Sequence, residues 1–104
     1  PITRIVVEVG ISYGSDVEKA RGVMLQTLSS VPAVLGDPEP KVYFMGFGDS
    51  SLDFILHAYS RQLSDRLPMI DEVHRAILAA LREHGIEIPF PQRDLHIKTN
   101  TEAK

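Results

Sequence analysis

Four histidines, His57, His74, His84 and His96, are the side chains best suited by type to hold a metal or move a proton near neutral pH. They are scattered along the chain, and no two stand at the i, i+4 step of a helical zinc motif. Ser50 and Ser51 beside Asp49 place hydroxyls next to a carboxylate, but no histidine lies near them in sequence and nothing marks a nucleophile elbow. Gly46-Phe47-Gly48 has the glycine spacing of a phosphate cradle. Such a cradle needs a strand before it and a helix amino terminus after it, whereas these glycines fall between two expected strands and read as hairpin chemistry. The chain has no cysteine, which removes disulfides, thiolate metal sites and cysteine nucleophiles together. These residues therefore predict no catalytic, cofactor-binding or metal-binding set, and a protein that is not an enzyme.

At 104 residues the chain fits one domain with a real core. A hydrophobic share of 43% and a charged share of 24% are those of a folded globular protein. The net charge of -3 argues against nucleic acid, whose phosphates need a concentrated basic footprint. The longest apolar run, Ala76 to Leu81, is far short of the ~20 residues that cross a bilayer, so the fragment is expected to be soluble.

The elements follow from periodicity. Ile5, Val7, Val9 and Ile11 alternate with Arg4, Val6, Glu8 and Gly10, which predicts a strand over residues 2–12 with one buried face. Ser15 and Glu18 have the spacing of a capping box, and Val17, Ala20, Met24, Leu28 and Val31 then recur at helical steps until Pro32. Gly36, Pro38 and Pro40 make a stiff loop into a strand over 41–47, and Gly48 to Ser51 turn the chain back into Leu52 to Tyr59. After a polar stretch, Ile70, Val73, Ile77, Leu78 and Leu81 predict a second helix, with Pro68 in or near its first turn and Gly85 as its stop. Residues 86–88 read as a short strand. Leu95 and Ile97, alternating with Asp94, His96 and Lys98, read as a further strand set apart by Pro89 and Pro91.

This order predicts an α+β, ferredoxin-like βαββαβ sandwich, with two helices on one face of an antiparallel sheet, plus a detached C-terminal strand. Enzymes and RNA-binding modules share the plan, so the fold alone does not give the function. A phosphate site of the acylphosphatase kind needs an arginine in the first loop and a central asparagine, but Tyr13 to Asp16 holds no basic residue and the only asparagine is Asn100. An RNA recognition motif needs stacking aromatics on its first strand, where Val6 and Glu8 stand. With Val42, Phe44, Leu52, Phe54 and Leu56 toward the helices, the open face would carry Tyr43, Met45, Phe47, Ile55 and Tyr59. So large an apolar set suggests an interface, or a register that places these residues the other way round.

Ile11 to Asp16, Val34 to Pro40 and Gly46 to Ser51 occur in the order seen in the small-conductance mechanosensitive channel family. Gly85 to Ile97, with its Gly-Ile helix end and its Pro-Phe-Pro-Gln run, closely resembles that family's signature. The resemblance implies the cytoplasmic carboxy-terminal domain of a heptameric, tension-gated channel in the cell (inner) membrane. Its partner would be further copies of itself, ions would pass through the assembled cage, and neither cofactor nor nucleic acid would be involved. The membrane would be met only through parts absent from this chain. By the same resemblance residues 1–89 form the cage domain, 90–98 an oligomerisation strand and 99–104 a flexible tail. Pro89, Phe90, Pro91 and Gln92 would lead into a barrel strand carrying Leu95 and Ile97. A small-molecule-sensing regulatory domain of the same plan is the alternative function, and it would account equally well for the apolar sheet face.

Overall fold

The computed structural model describes residues 1–90. In chain order it contains β1 (Thr3–Ile11), α1 (Val17–Ser30), β2 (Lys41–Phe47), β3 (Leu52–Ser60), a single 3-10 turn (Leu63–Asp65) and α2 (Arg66–Glu83). The strands form one antiparallel sheet in the order β1-β3-β2, with β3 in the centre. Both helices lie on one face, and a single core joins them to it. The α+β sandwich is thus as the periodicity predicts.

The central strand shows why alternation fixes the layers. Leu52, Phe54, Leu56, Ala58 and Ser60 are buried while the residues between them are half-buried, because successive side chains point to opposite faces. Ile5, Val7 and Ile11 of β1 join them, and α1 adds Ala20, Val23, Met24 and Leu28. From α2 the stripe is Met69, Val73, Ile77 and Leu81. Met69 rather than Ile70 starts it, since four-residue steps back from Val73 reach Met69. Leu78, predicted to belong to the stripe, is 36% exposed.

Helix ends follow local chemistry. At the start of α1 the Asp16 carboxylate accepts the Lys19 N–H at 3.1 Å, so the cap is Asp16 and the predicted Ser15/Glu18 capping box is displaced by one residue. Asp is as good a cap as Ser, and here it lies directly before the first helical residue. At the other end Val31 is extended (φ -79°, ψ 118°), the conformation that a following proline imposes. The end of α2 is a Schellman motif. Gly85, at φ 69°, donates to Arg82 O at 3.2 Å, Ile86 donates to Leu81 O at 2.8 Å, and Ile86 is buried like Leu81.

The fourth strand predicted at Ile86–Ile88 is not formed. The segment makes one rung with the end of β1, Ser12 N–H to Glu87 O at 2.8 Å, backed by the Ser12 hydroxyl donating to the Glu87 carboxylate at 3.3 Å. Backbone groups of an extended chain alternate sides, so the next residue facing β1 is Pro89, which has no N–H to give. The predicted strand at 93–98 lies outside the described residues.

Candidate functional site: the open sheet face and the loop end

Sheet pairing places the open-face side chains in rows. Arg4 stands opposite Tyr59, Val6 opposite His57 and Glu8 opposite Ile55. On the other side of β3, Lys41 stands opposite His57 and Tyr43 opposite Ile55. Directly opposed residues share a face, so Tyr43, Ile55 and Tyr59 point away from the helices as predicted. Tyr43 and His57 meet edge to face with ring centroids 5.5 Å apart. Met45 reaches the same side and is 61% exposed.

Phe47 does not belong to this face. The ladder steps from Phe44 opposite Phe54 to Gly46 opposite Asp53, which leaves Met45 without a counterpart as a β-bulge. Gly46 takes φ 149° there, a conformation that residues with a Cβ rarely adopt. After the extra residue every side chain changes face, so Phe47 comes opposite buried Leu52 and packs edge to face on Phe44 at 5.7 Å. It remains 77% exposed at the rim of the helix side. Simple alternation over residues 41–47 could not foresee the bulge, and Gly46 was its only signal.

The resulting open face is a mosaic. An apolar centre of Val6, Tyr43, Met45 and Ile55 is bordered by Arg4, Glu8, Lys41 and Asp53.

The stretches that stand apart in sequence come together at one end of the sheet. The Tyr13 hydroxyl donates to the Gly48 carbonyl, tying the β1-α1 loop to the hairpin tip. Glu87 is held on Ser12, and Ile88 and Pro89 line a groove with Gly10, Gly48 and Ser51. Inside the hairpin, Gly48 N–H donates to Ser51 O at 2.7 Å and the Ser51 hydroxyl donates to Asp53 at 2.6 Å. A Cβ on Gly48 would lie 2.7 Å from the Asp53 carboxylate and 2.8 Å from the Ser51 hydroxyl oxygen, so glycine keeps this pair in place. Tyr13, 52% exposed, was missed as a candidate, although an aromatic in a short loop is a visible signal. The Val34–Pro40 loop lies at the opposite end, where Leu35 N–H reaches Tyr59 O at 2.9 Å.

The residues considered for chemistry are dispersed. His57 lies on the open face, His74 hydrogen-bonds the Ile70 carbonyl at 2.8 Å, and His84 ends α2. Among the described residues no group of three or more His, Cys, Asp or Glu could hold a metal ion. Among them, too, no helix is long and apolar enough to cross a membrane. Pro89 is half-buried and Phe90 is 83% exposed, while Pro91, Gln92, Leu95 and Ile97 lie outside the described residues.

Residues 5–88 match the family model described as the C-terminal part of the mechanosensitive ion channel MscS. An uncharacterised MscS family protein of Haemophilus influenzae is 42% identical over 99 residues, covering 95% of this chain and 9% of its own. The mechanosensitive channel MscK of Escherichia coli is 43% identical over 95 residues, covering 91% of this chain and 8% of its own. The chain thus spans less than a tenth of the length of these two relatives. The closed-state crystal structure of Helicobacter pylori MscS superposes with a TM-score of 0.83 at 26% identity, over 94% of this chain and 39% of that one. With more than four-fifths of its length inside the family model, and the same fold as a solved member, the chain belongs to the MscS family of mechanosensitive ion channels.

Proposed function

We propose that this chain is the cytoplasmic C-terminal domain of a membrane-tension-gated ion channel, where it joins subunits and shapes the vestibule through which ions pass. The observation that carries this reading is the path of the chain at Glu87 to Phe90. After one rung on Ser12, Pro89 denies β1 the next N–H, so among the described residues no fourth strand joins the sheet beside β1. A strand that finds no edge in its own domain gains partners by joining strands of other copies, and ring closure leaves no edge exposed. Leu95 and Ile97 would form the apolar side of that shared strand, with Pro89, Phe90, Pro91 and Gln92 leading into it. A seven-membered ring is the form implied by the family resemblance. Tyr43, Met45, Ile55 and Tyr59 form a second contact surface within the cage, and Phe47 contributes from the rim of the opposite side.

The test is a double substitution, Leu95→Asp with Ile97→Asp, in the full-length channel. Charge placed in a shared apolar interior costs several kcal/mol, on the order of 2–7 per polar group left unpaired. Light scattering in detergent should show lost or weakened subunits, with the melting temperature of the remaining domain nearly unchanged. A variant that keeps its full subunit count and its resistance to dissociation would refute the assembly role.

A further inference from the structure

β1 lies at the edge of the sheet, and its outer side is unpaired over most of its length. Ser12 N–H points away from β3 to reach Glu87 O, and backbone groups alternate sides along a strand. Gly10, Glu8, Val6 and Arg4 therefore present their N–H and C=O groups on that same outer side. Among the described residues no hydrogen bond reaches any of them. At the other edge the Val42 carbonyl of β2 is already taken by Arg21, at 3.2 Å. Above the free edge stands α2, which packs on β1 while α1 packs on β2. Ile77, Leu78 and Leu81 of α2 border a groove with Val7, Val9 and Ile88. Its volume is about 260 Å³, against the ~10–15 Å³ that one water needs, so the gap is of side-chain size.

The chain's own continuation is a poor match for this edge. Glu87 turns its carbonyl to β1, so residues 89 and 91 are the next to face it, and both are prolines with no N–H to give. A second copy is excluded by its helices. Paired strands stand about 4.8 Å apart, whereas packed helix axes need about 8–10 Å. The α2 above a second β1, or the α1 above a second β2, would collide with the α2 already there. What the edge admits is a single strand with no helix above it. The positions along β1 specify that strand's side chains. Arg4, Val6 and Glu8 are exposed on the open face, and among the described residues neither Arg4 nor Glu8 makes an ion pair. Ile5, Val7 and Val9 alternate with them on the helix side.

We infer that the outer edge of β1, beneath α2, is a docking slot for one extended peptide segment of a partner protein. The segment runs antiparallel, as every pair in this sheet does, and completes the sheet as a fourth strand. Directly opposed residues share a face, so charge complementarity sets a basic residue opposite Glu8, a small or apolar one opposite Val6 and an acidic one opposite Arg4. The residues between them are apolar and enter the groove against Val7, Val9 and Leu78. Main-chain hydrogen bonds to Arg4, Val6 and Glu8 supply affinity, and the two charges fix the register. The inference rests on the sheet edge and not on the assembly role proposed above.

The test uses the full-length protein in detergent and a fluorescein-labelled peptide containing Leu-Lys-Val-Thr-Ile-Glu, with its Lys set opposite Glu8 and its Glu opposite Arg4. Fluorescence anisotropy should show saturable binding. N-methylation of the peptide's Thr, whose N–H points at Val6 O, should weaken binding about tenfold, whereas N-methylation of its Val, whose N–H points away from β1, should change it little. The double variant Arg4→Glu with Glu8→Arg should bind about tenfold more weakly and recover on a peptide with Lys and Glu exchanged. Leu78→Glu, which puts a carboxylate on the helix side of the groove, should lose binding as well. Absence of saturable binding overturns the slot, and so does equal binding of the two N-methylated peptides. That pair needs no substitution in the protein, so it decides the matter even where a variant fails to fold. A channel that assembles and conducts but ignores the peptide loses only this inference, and the Leu95 and Ile97 substitutions bear only on the assembly role.

Discussion

Gly85 carries more of the architecture than its size suggests. Its positive φ lets the last turn of α2 close on Arg82 and Leu81 while Ile86 folds back onto the core. Gly85→Val places a β-branched side chain in the left-handed region, at a cost of roughly 1–3 kcal/mol. For a domain of this size that corresponds to a fall in Tm of about 4–8 °C per kcal/mol, measurable by calorimetry. An unchanged Tm would show that the helix stop does not depend on the backbone angle. This position was legible in the sequence, because a glycine after a periodic apolar stripe has few other uses. Ser60 was not. It stands where the sequence turns polar after Tyr59, yet it is wholly buried, since its place in the β3 alternation outweighs its polarity once its hydroxyl has carbonyl acceptors.

At the scale of elements, periodicity placed the strands and helices, and within α2 it misassigned only the margins of the buried stripe, at Ile70 and Leu78. Strands β1 and β3 and both helices fall where alternation and helical stripes put them. The larger misplacements arose where one backbone event shifts the pattern. The bulge at Met45 turned Phe47 to the other side, and Pro89 ended a ladder whose β-branched residues promised a strand. The start of α1 offers a clean check between neighbouring candidates. Asp16→Ala should destabilise by about 1 kcal/mol through loss of the bond to Lys19 N–H, whereas Ser15→Ala should change stability by only a few tenths. Urea titrations of the two variants decide it, and equal losses would restore a role for Ser15 in the cap.

For the molecule as a whole, the charge pairs among the described residues are surface features. Glu39 is held below the ordinary carboxylate range by its hydrogen bond from Lys41 and by that residue's charge, and Lys41 is raised by the same two causes. The pair's contribution is therefore present above the unfolded pKa of Glu39 and is lost as pH falls through the lowered folded value. At the alkaline end it is present below the unfolded pKa of Lys41 and fades as pH rises through the raised one. Both side chains are solvent-exposed, so Glu39→Gln near neutral pH should leave Tm within about a degree, as should added salt. A drop of several degrees would mean the pair holds the Pro38-Pro40 loop in place. The site was less legible than the fold, because the meeting of Tyr13, Gly48 and Glu87 is a property of tertiary structure that no local period encodes. That meeting has a mechanical consequence. The chain comes in at Thr3 and is held on leaving at Glu87, beside Ser12, so the two attachment points lie at opposite ends of β1, about 30 Å apart for nine residues. A pull between them acts along the strand and loads the β1-β3 rungs together in shear, instead of unzipping them one by one from an end.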